Sequence, residues 1–378
     1  MKDKKCIGIL GGGQLARMSA YQAFKLGFEV AILEKEGNSP AGQLTKNEFI
    51  GWVNNKNILE MFTNKSDVVT LENEFIDSTK LHYIETLGKK VIPSPKTISL
   101  IQDKYVQKKT LERNGIPIPK FVSYDYEDSY NDVSLILGKK FVLKSRKMGY
   151  DGYGNALVRN ADSFQKGLEK LVSRNSSLYA EEFIDFKMEL AIMIVRTKKE
   201  IKTYPIVQTI QQDHICKTVI APAPISNKLV KLSEEIAVSA VESVKGFGIF
   251  GIEMFLTQDE RVLLNEMAPR PHNSGHFTIE ACITSQFENH IRAVLDLPLG
   301  STAMLRPHAV MINLLGKRNG EGTIQNYNKA LIDGEVHLHI YGKEKSRIGR
   351  KMGHLTLLGD NVNSILARAA QIEKQIIF

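Results

Sequence analysis

The 378-residue sequence contains few cysteines and no long apolar run. Its three cysteines, Cys6, Cys216 and Cys282, are far apart and form no CxxC pair, which argues against a disulfide framework and a zinc ribbon. The longest apolar stretches, such as residues 190–195, fall far short of the ~20 residues that span a bilayer. The apolar run at residues 6–10 is too short for a signal peptide. We therefore expect a soluble, cytoplasmic protein with no membrane partner.

Acidic residues are fewer than basic ones, with 42 Asp and Glu against 50 Lys and Arg, so the formal net charge is +8. Such an excess fits nucleic acid, an anionic membrane or small anionic substrates. No nucleic-acid recognition motif accompanies the charge, and the sequence has no repeat or low-complexity tract. The length suggests two or three domains of roughly 150 residues.

Strands and helices alternate in the first hundred residues, and this pattern predicts an α/β fold with a parallel sheet. Long β-rich runs from residue 178 onward predict an α+β centre, and short strands with a terminal helix from residue 362 follow. The predicted strands lie at residues 6–10, 29–33, 67–71, 140–144, 156–158, 248–256 and 261–266. The predicted helices lie at residues 14–26, 97–114 and 233–245 and after residue 161.

The first glycine turn, Gly11 to Ala16, fits G-x-G-x-x-A directly after a strand and at the start of a helix. Such a turn presents backbone N–H groups and a positive helix end to a phosphate. Glu34 ends the second strand, where an acid in a dinucleotide-binding domain holds ribose hydroxyls. A nucleotide-dependent oxidoreductase is therefore one hypothesis, and a tight turn without a ligand is the other.

A second glycine-rich segment, FVLKSRKMGYDGYGN at residues 141–155, follows an apolar strand that ends in Lys144. A lysine at the base of a glycine loop can hold phosphates. No GK[ST] follows the glycines, so the segment is not a Walker loop. Taken alone, it also fits a plain glycine-rich hairpin.

Two glutamates, Glu253 and Glu266, follow apolar residues in strands that a short turn at residues 258–260 connects. Neighbouring carboxylates repel each other unless a cation lies between them, and oxygen ligands suit Mg²⁺. Asn265 adds a neutral oxygen donor. The alternative is a pair of separately solvated glutamates at a sheet edge.

The lysine-ended strand, the glycine loop, an acidic segment at residues 181–184 and the paired carboxylates together resemble the ATP-grasp superfamily. Four blocks narrow the resemblance to the N5-carboxyaminoimidazole ribonucleotide synthetase family. These blocks are GGGQLARM (residues 11–18), GYDGYG (149–154), NEMAPRPHNSGH (265–276) and YGKEKSRIGRKMGH (341–354). The last block has a local charge of +4, half of the net excess, so we interpret the basic charge as suited to small anionic substrates.

The resemblance implies an ATP-grasp fold with an N-terminal Rossmann-like pre-ATP-grasp domain at residues 1–97. An ATP-grasp region at 98–302 would comprise a smaller lid at about 118–180 and a larger part at about 181–302, and a β-rich C-terminal domain would follow at 303–378.

The implied reaction is ATP-dependent carboxylation of 5-aminoimidazole ribonucleotide with bicarbonate through carboxyphosphate, in purine biosynthesis. The products would be N5-carboxyaminoimidazole ribonucleotide, ADP and phosphate. One or two Mg²⁺ ions, or Mn²⁺, a homodimer and transfer of the product to a separate mutase are also implied. Another ATP-grasp carboxylate–amine ligase remains an alternative.

The resemblance also implies the site residues, with Glu253 and Glu266 as the metal ligands. For ATP they are Lys104, Lys144, Gly149, Tyr150, Asp151, Gly152, Tyr153, Gly154, Asn155, Glu181, Glu182, Phe183, Ile184, Glu189, His214, Asn265 and Glu266. For the ribonucleotide and bicarbonate they are Gly13, Gln14, Leu15, Glu74, Tyr150, Asp151, Arg270, His272, Asn273, Lys343, Arg350 and Lys351. The implied catalytic residues are Asp151, Arg270, His272 and Lys351.

Within these roles, Gly13 to Leu15 would hold the substrate's 5′-phosphate, Glu74 its ribose, and Glu34 would become a structural acid. Two positions depart from the family pattern. Tyr153 stands where a Lys or Arg is common, and Met148 stands where a glycine is usual. Arg146 or Lys147 is a candidate to replace the missing cation.

Overall fold

The computed structural model describes residues 4–125, 127–147, 154–172 and 177–378. The predictions for residues 148–153 therefore lie outside the described residues: these are Met148, Gly149, Tyr150, Asp151, Gly152 and Tyr153. Within the described part of the chain, no helix is both long enough and apolar enough to cross a membrane.

The N-terminal part contains a five-stranded parallel sheet in the order β3-β2-β1-β4-β5, as the alternating pattern predicts. The central strand is fully buried, because helices cover both faces of such a sheet. Its elements are β1 (Cys6–Leu10), α1 (Gln14–Lys25), β2 (Glu29–Glu34), β3 (Glu48–Ile50), α2 (Lys56–Lys65), β4 (Val68–Leu71), α3 (Ser78–Thr86) and β5 (Lys90–Val91). The carboxyl ends of β1 and β4 meet at one edge, which brings the first glycine turn next to the segment that contains Glu74.

A small four-stranded antiparallel sheet follows in the order β6-β9-β7-β8. The elements here are α4 (Pro95–Ile101), α5 (Lys104–Arg113), β6 (Phe121–Ser123), α6 (Tyr130–Leu137), β7 (Phe141–Ser145), β8 (Asn155–Val158), α7 (Ala161–Val172) and β9 (Leu178–Glu182). The prediction of one helix over 97–114 is wrong, because the chain breaks at residues 102–103. Asp103 there caps α5 by accepting hydrogen bonds from the backbone N–H groups of Tyr105 and Val106.

A nine-stranded antiparallel sheet forms the rest of the molecule, in the order β15-β14-β10-β12-β13-β16-β20-β18, with β11 paired to β10. Its strands are β10 (Phe186–Arg196), β11 (Ile201–Thr203), β12 (Val207–Gln212), β13 (Ile215–Ala221), β14 (Gly248–Thr257), β15 (Val262–Ala268), β16 (His308–Leu315), β18 (His337–Ile340) and β20 (Lys351–Gly359). A separate short pair comprises β17 (Gly320–Glu321) and β19 (Lys345–Ser346). The large sheet crosses residue 302, because β13 pairs with β16.

Five helices accompany this sheet: α8 (Asn227–Ser243), α9 (Thr278–Ala281), α10 (Gln286–Val294), α11 (Tyr327–Ala330) and α12 (Val362–Gln375). Helix α8 begins at Asn227 rather than at the predicted residue 233, because the Ser226 hydroxyl caps it by accepting from the Leu229 N–H. Alternate side chains of β10 and β14 enter two cores, one against α8 and the other towards α9 and α10. Strands buried on both sides hold the polar groups that they contain in fixed positions.

Candidate active site

The two predicted metal ligands, Glu253 and Glu266, lie directly opposite each other on β14 and β15. Burial, together with the neighbouring Glu266 carboxylate, raises the pKa of Glu253 to about 7. Burial also disfavours the charge of Glu266, but the adjacent Lys104 ammonium outweighs this effect and holds the pKa of Glu266 at about 2. The pair therefore carries less than its full negative charge when no cation is bound.

Lys104 reaches this pair from the first residue of α5 and forms an ion pair with Glu266. On the same strand, the Asn265 side-chain oxygen lies 3.4 Å from Lys144 Nζ. Two facing carboxylates and a neutral oxygen are the donor set that Mg²⁺ prefers. Two carboxylates that face each other repel unless a cation lies between them, so the residues present fit a divalent cation.

A buried ion-pair network lies beside the carboxylate pair. Glu181 on β9 binds both Lys144 on β7 and Lys108 on α5, and the Lys108–Glu181 distance is 2.8 Å. The side chains of Lys108 and Glu181 are each only 2% exposed. The two ammonium groups lower the pKa of Glu181 despite its burial, whereas burial lowers the pKa of Lys108 to about 8. Glu181 thus keeps Lys144 at the base of the glycine loop.

Four further predicted ATP residues lie on, after or between strands β9 to β13. Phe183 follows β9, and its ring makes a cation–π contact with Lys140 Nζ, which lies 3.4 Å from the ring centre. Ile184 is buried. Glu189 lies on β10, and burial raises its pKa. His214 is exposed in the turn between β12 and β13, and within the described part of the chain no hydrogen bond joins it to another predicted site residue.

Three more predicted ATP residues border the glycine loop or the hinge. Gly154 is buried and its carbonyl accepts from the Ser145 N–H at 2.8 Å. Asn155 begins β8 opposite Lys144. The Glu182 carboxylate accepts from the Lys120 N–H at 3.2 Å. The contacts of Gly154 and Asn155 lie at the base of the glycine loop, and that of Glu182 lies at the hinge. Residues 148–153 of the loop lie outside the described residues.

Two of the predicted substrate residues, Arg270 and Glu74, bind each other. Its guanidinium donates to both carboxylate oxygens of Glu74, at 2.6 and 3.3 Å, and both side chains are largely buried. His272 lies 3.6 Å from Glu253, and its Nδ1 is 2.8 Å from the Ser274 hydroxyl. Burial and the positive charge of Arg270 lower the pKa of His272 to about 3, so its imidazole is neutral at neutral pH.

At the first glycine turn, a carboxylate binds the backbone that the family resemblance assigns to the substrate's phosphate. Glu72 accepts hydrogen bonds from the Gly13 N–H at 2.6 Å and from the Leu15 N–H at 3.1 Å. Burial raises the pKa of Glu72, and these two hydrogen bonds partly offset the effect. Glu34 accepts from the Gly12 N–H at 2.8 Å, which gives it a structural position in the turn.

The basic block at residues 341–354 packs against the glycine turn. The Gln43 side chain donates to the Gly342 carbonyl at 3.0 Å, and the charge of Lys343 acts on Glu72. Lys343 Nζ also donates to the Lys351 carbonyl at 2.7 Å. The positive charge of Lys351 acts on Glu253 and His272, so this end of the basic block lies near the carboxylate pair.

Two predicted substrate residues have protein partners. The side-chain amides of Asn273 and Asn313 bind each other reciprocally at 2.9 and 2.6 Å in the core. Arg350 donates to the Lys345 carbonyl at 2.5 Å, and burial lowers its pKa. Gln14, the middle residue of the turn, is partly exposed at the start of α1.

The sequence analysis missed three residues that shape the site. Glu72 and Lys108 make the contacts described above, and Asp103 forms a bidentate ion pair with Arg146, with N–O distances of 2.8 to 3.1 Å. The Arg146 side chain is therefore bound at the start of α5. The position of Glu72 after β4 is a usable signal, because ligands of open α/β sheets bind beyond the carboxyl ends of the strands.

Three family models match successive parts of the chain. Residues 4–102 match the ribonucleotide synthetase preATP-grasp domain, and residues 109–287 match the ATP-grasp domain. Residues 309–368 match the phosphoribosylaminoimidazole carboxylase C-terminal domain. The order of these matches agrees with the fold that the motifs predict.

The chain is similar over nearly its whole length to several characterised proteins. It is 42% identical to phosphoribosylaminoimidazole carboxylase of Saccharomyces cerevisiae over 95% of this chain and 64% of that protein, so it spans about two thirds of the length of such relatives. It is 39% identical to N5-carboxyaminoimidazole ribonucleotide synthase of Synechococcus elongatus over 93% of this chain and 89% of that protein. The solved N5-carboxyaminoimidazole synthase of Aspergillus clavatus, in complex with ADP and 5-aminoimidazole ribonucleotide, has a TM-score of 0.89 and 35% identity, covering 99% of both chains.

Proposed function

Because the chain belongs to the N5-carboxyaminoimidazole ribonucleotide synthase family of ATP-grasp ligases, we propose that it carboxylates 5-aminoimidazole ribonucleotide with bicarbonate at the expense of ATP. One observation carries this proposal. The Arg270 guanidinium binds Glu74, and it interacts electrostatically with both Glu266, in the carboxylate pair where ATP phosphates would bind, and Glu72, at the glycine turn where the ribonucleotide would bind.

The first step would transfer the γ-phosphoryl group of ATP to bicarbonate, giving carboxyphosphate and ADP. Lys104 and Lys144 would bind the phosphate oxygens, and their ion pairs with Glu266 and Glu181, which hold both ammonium groups at this site, support the assignment. Glu253 and Glu266, with Asn265, would hold Mg²⁺ or Mn²⁺. The cation would neutralise charge on the phosphates during transfer.

The second step would join the exocyclic amine of the ribonucleotide to the carboxyl carbon of carboxyphosphate, with release of phosphate and loss of one amine proton. The Arg270 guanidinium and the neutral His272 imidazole supply donors for this labile anion in a partly buried site. Glu74 both binds Arg270 and is the proposed ligand of the ribose. Substrate binding at Glu74 would therefore also reposition Arg270.

The remaining site assignments follow the family pattern. We propose that adenine binds at residues 181–184, that its ribose binds Glu189, and that the substrate's 5′-phosphate binds at Gly13 to Leu15 with Lys343. Asp151 and Tyr150, in the glycine loop, are proposed to meet the aminoimidazole ring. Tyr153 stands where a Lys or Arg is common in the family. Because Arg146 is paired with Asp103, Lys147 is the better candidate to replace that cation.

We further propose a cytoplasmic homodimer that passes its product to a separate mutase and binds neither nucleic acid nor membrane. Light scattering of the purified chain tests the dimer. A monomer at micromolar concentration would contradict it.

An ADP-release assay with and without each substrate tests the activity. We expect release to require the divalent cation and bicarbonate and to rise sharply when 5-aminoimidazole ribonucleotide is added. Detection of the acid-labile carbamate with labelled bicarbonate would identify the product. Turnover that required an amino acid instead would favour another ATP-grasp carboxylate–amine ligase, and nicotinamide binding would favour the oxidoreductase hypothesis.

A further inference from the structure

A cluster of metal-ligating side chains lies where α9 packs against strands β18 and β20. Glu280, His339 and His354 each offer one ligand atom, and these three atoms lie within 4.8 Å of one another. His339 and His354 are direct cross-strand neighbours, and their rings stack with centroids 4.4 Å apart. His339 Nε2 lies 2.6 Å from a carboxylate oxygen of Glu280. None of these residues belongs to the predicted active site.

Several polar atoms in this cluster are buried without a hydrogen-bond partner. Within the described residues these include His354 Nε2, the second carboxylate oxygen of Glu280 and Nε2 of the adjacent His276. His354 and His276 are completely buried, and their ring centres are 5.0 Å apart. Each unsatisfied buried polar atom costs about 1–3 kcal/mol. Three such atoms in one place indicate that the cluster is built to bind a further group.

The hydrogen bonds around His354 suit a metal ligand. Its Nδ1 is 2.9 Å from the Tyr341 hydroxyl, and in the tautomer in which Nδ1 donates this hydrogen bond the Nε2 lone pair is left for a different partner. Metal-binding histidines are typically held by such a contact through the other ring nitrogen.

We propose that Glu280, His339 and His354 bind a divalent transition-metal ion, of which Zn²⁺ is the best match. Two imidazoles and one carboxylate suit Zn²⁺, whereas Mg²⁺ and Ca²⁺ prefer oxygen ligands. Tetrahedral Zn²⁺ at its usual bond lengths places donors about 3.3 Å apart. The present donors reach that geometry when the His339–Glu280 hydrogen bond opens and the partly exposed His339 ring turns out of its parallel stack on His354, because imidazole lone pairs lie in the ring plane. Water or His276 completes the fourth position.

Such an ion would connect the two halves of the active site. Strand β20 begins at Lys351, and α9 follows the segment that contains His272. A metal bound to His354, His339 and Glu280 would therefore fix the basic C-terminal block against the segment next to the carboxylate pair. The site would be structural, because its ligands lie apart from the proposed ATP phosphates.

The test measures metal binding rather than catalysis, so its result is independent of the proposed reaction. Untagged protein is stripped with dipicolinate, which removes Zn²⁺, and is kept free of ATP and Mg²⁺. Zn²⁺ is then titrated in competition with a chromophoric chelator, and Co²⁺ is added separately to record its visible spectrum. We expect one tightly bound equivalent per chain, a tetrahedral Co²⁺ spectrum and a rise in the melting temperature on Zn²⁺ addition.

His339→Phe keeps an aromatic ring beside His354 but removes one ligand, and the side chain is partly exposed, so the variant should fold. We expect its Zn²⁺ affinity to fall at least about 100-fold. His337→Phe is the matched control, since His337 lies two residues away on β18 and is exposed. Circular dichroism of both variants checks folding. Equal Zn²⁺ affinity in the wild type and His339→Phe, or no stoichiometric binding by the wild type, would overturn the proposal.

Discussion

At the central site lysine side chains face glutamates, whereas at the first glycine turn the glutamates face backbone N–H groups. Lys104 and Lys144 bind Glu266 and Glu181. Glu72, in contrast, binds the N–H groups of Gly13 and Leu15. In both regions a glutamate therefore occupies donors that could bind a substrate anion. The lysine side chains can rotate towards an incoming phosphate, whereas the backbone N–H groups are fixed. An anion at the glycine turn therefore has to share these donors with Glu72 or displace it.

The largest expected effect concerns the buried end of the lysine network. Glu181→Gln leaves Lys108 buried without its carboxylate, and breaking such a buried pair costs about 3–5 kcal/mol of unfolding free energy. Urea unfolding measures the loss. Glu182→Gln is the control, because the Glu182 carboxylate accepts a hydrogen bond from the Lys120 N–H rather than from a buried lysine. This substitution should cost about 1 kcal/mol or less of unfolding free energy. Equal losses would show that Lys108 finds other partners.

The next effect concerns the carboxylate pair beside this network. Glu266→Gln removes a proposed metal ligand and the partner of Lys104, so ATP turnover should fall at least about 100-fold with the fold intact. The ADP-release assay measures turnover. Glu235→Gln on the exposed surface of α8 makes the same chemical change elsewhere and should leave it unchanged. Near-normal turnover in Glu266→Gln would refute the metal assignment.

At the glycine turn the direction of the effect should be opposite. Glu72→Gln removes a negative charge from the proposed phosphate site, so the KM for the ribonucleotide should fall about ten-fold with little change in kcat. Steady-state kinetics at saturating ATP measure both constants. Glu34→Gln, which alters the contacts with the N–H groups of Gly12 and Lys35 but not those of Gly13 and Leu15, should change KM less than about two-fold. A higher KM in Glu72→Gln would mean that Glu72 itself holds the substrate.

The last effect is a pH dependence at the central site. The pKa of Glu253 is about 7 in the folded chain against an ordinary value of 4.5, so the folded state keeps a proton that the unfolded state has lost. The stability of the ligand-free protein should therefore fall as pH rises from 4.5 to about 7. Compared with the wild type, Glu253→Gln should gain roughly 2–4 °C in melting temperature between pH 5 and pH 8. A parallel pH profile in the two proteins would contradict this role of Glu253.

Local patterns predict the parts of this comparison that depend on neighbouring residues in sequence. The glycine turn follows a buried strand, and Glu253 and Glu266 follow apolar residues in strands joined by a short turn, so their placement could be predicted. The same pattern reasoning failed at residues 97–114, because it did not detect that Asp103 caps a second helix.

Contacts between distant elements could not be predicted in the same way. Lys108 lies among charged residues in α5 and has the pattern of a solvated helix face; it is buried only because Glu181 on β9 packs against it. The pairing of Asn273 with Asn313 likewise depends on β16 joining the large sheet. The residues of the proposed metal cluster come from three elements, and no spacing in the sequence connects Glu280 to His339.

The bidentate pair between Asp103 and Arg146 has a consequence for how this sequence can evolve. Asp103 caps the helix that begins with Lys104, and the Lys104 N–H donates to the Arg146 carbonyl at 2.7 Å. A substitution at either position alone would unsettle both the start of α5 and the end of β7. Lineages that lose one member should therefore have lost the other as well, so that positions 103 and 146 are inherited as a unit.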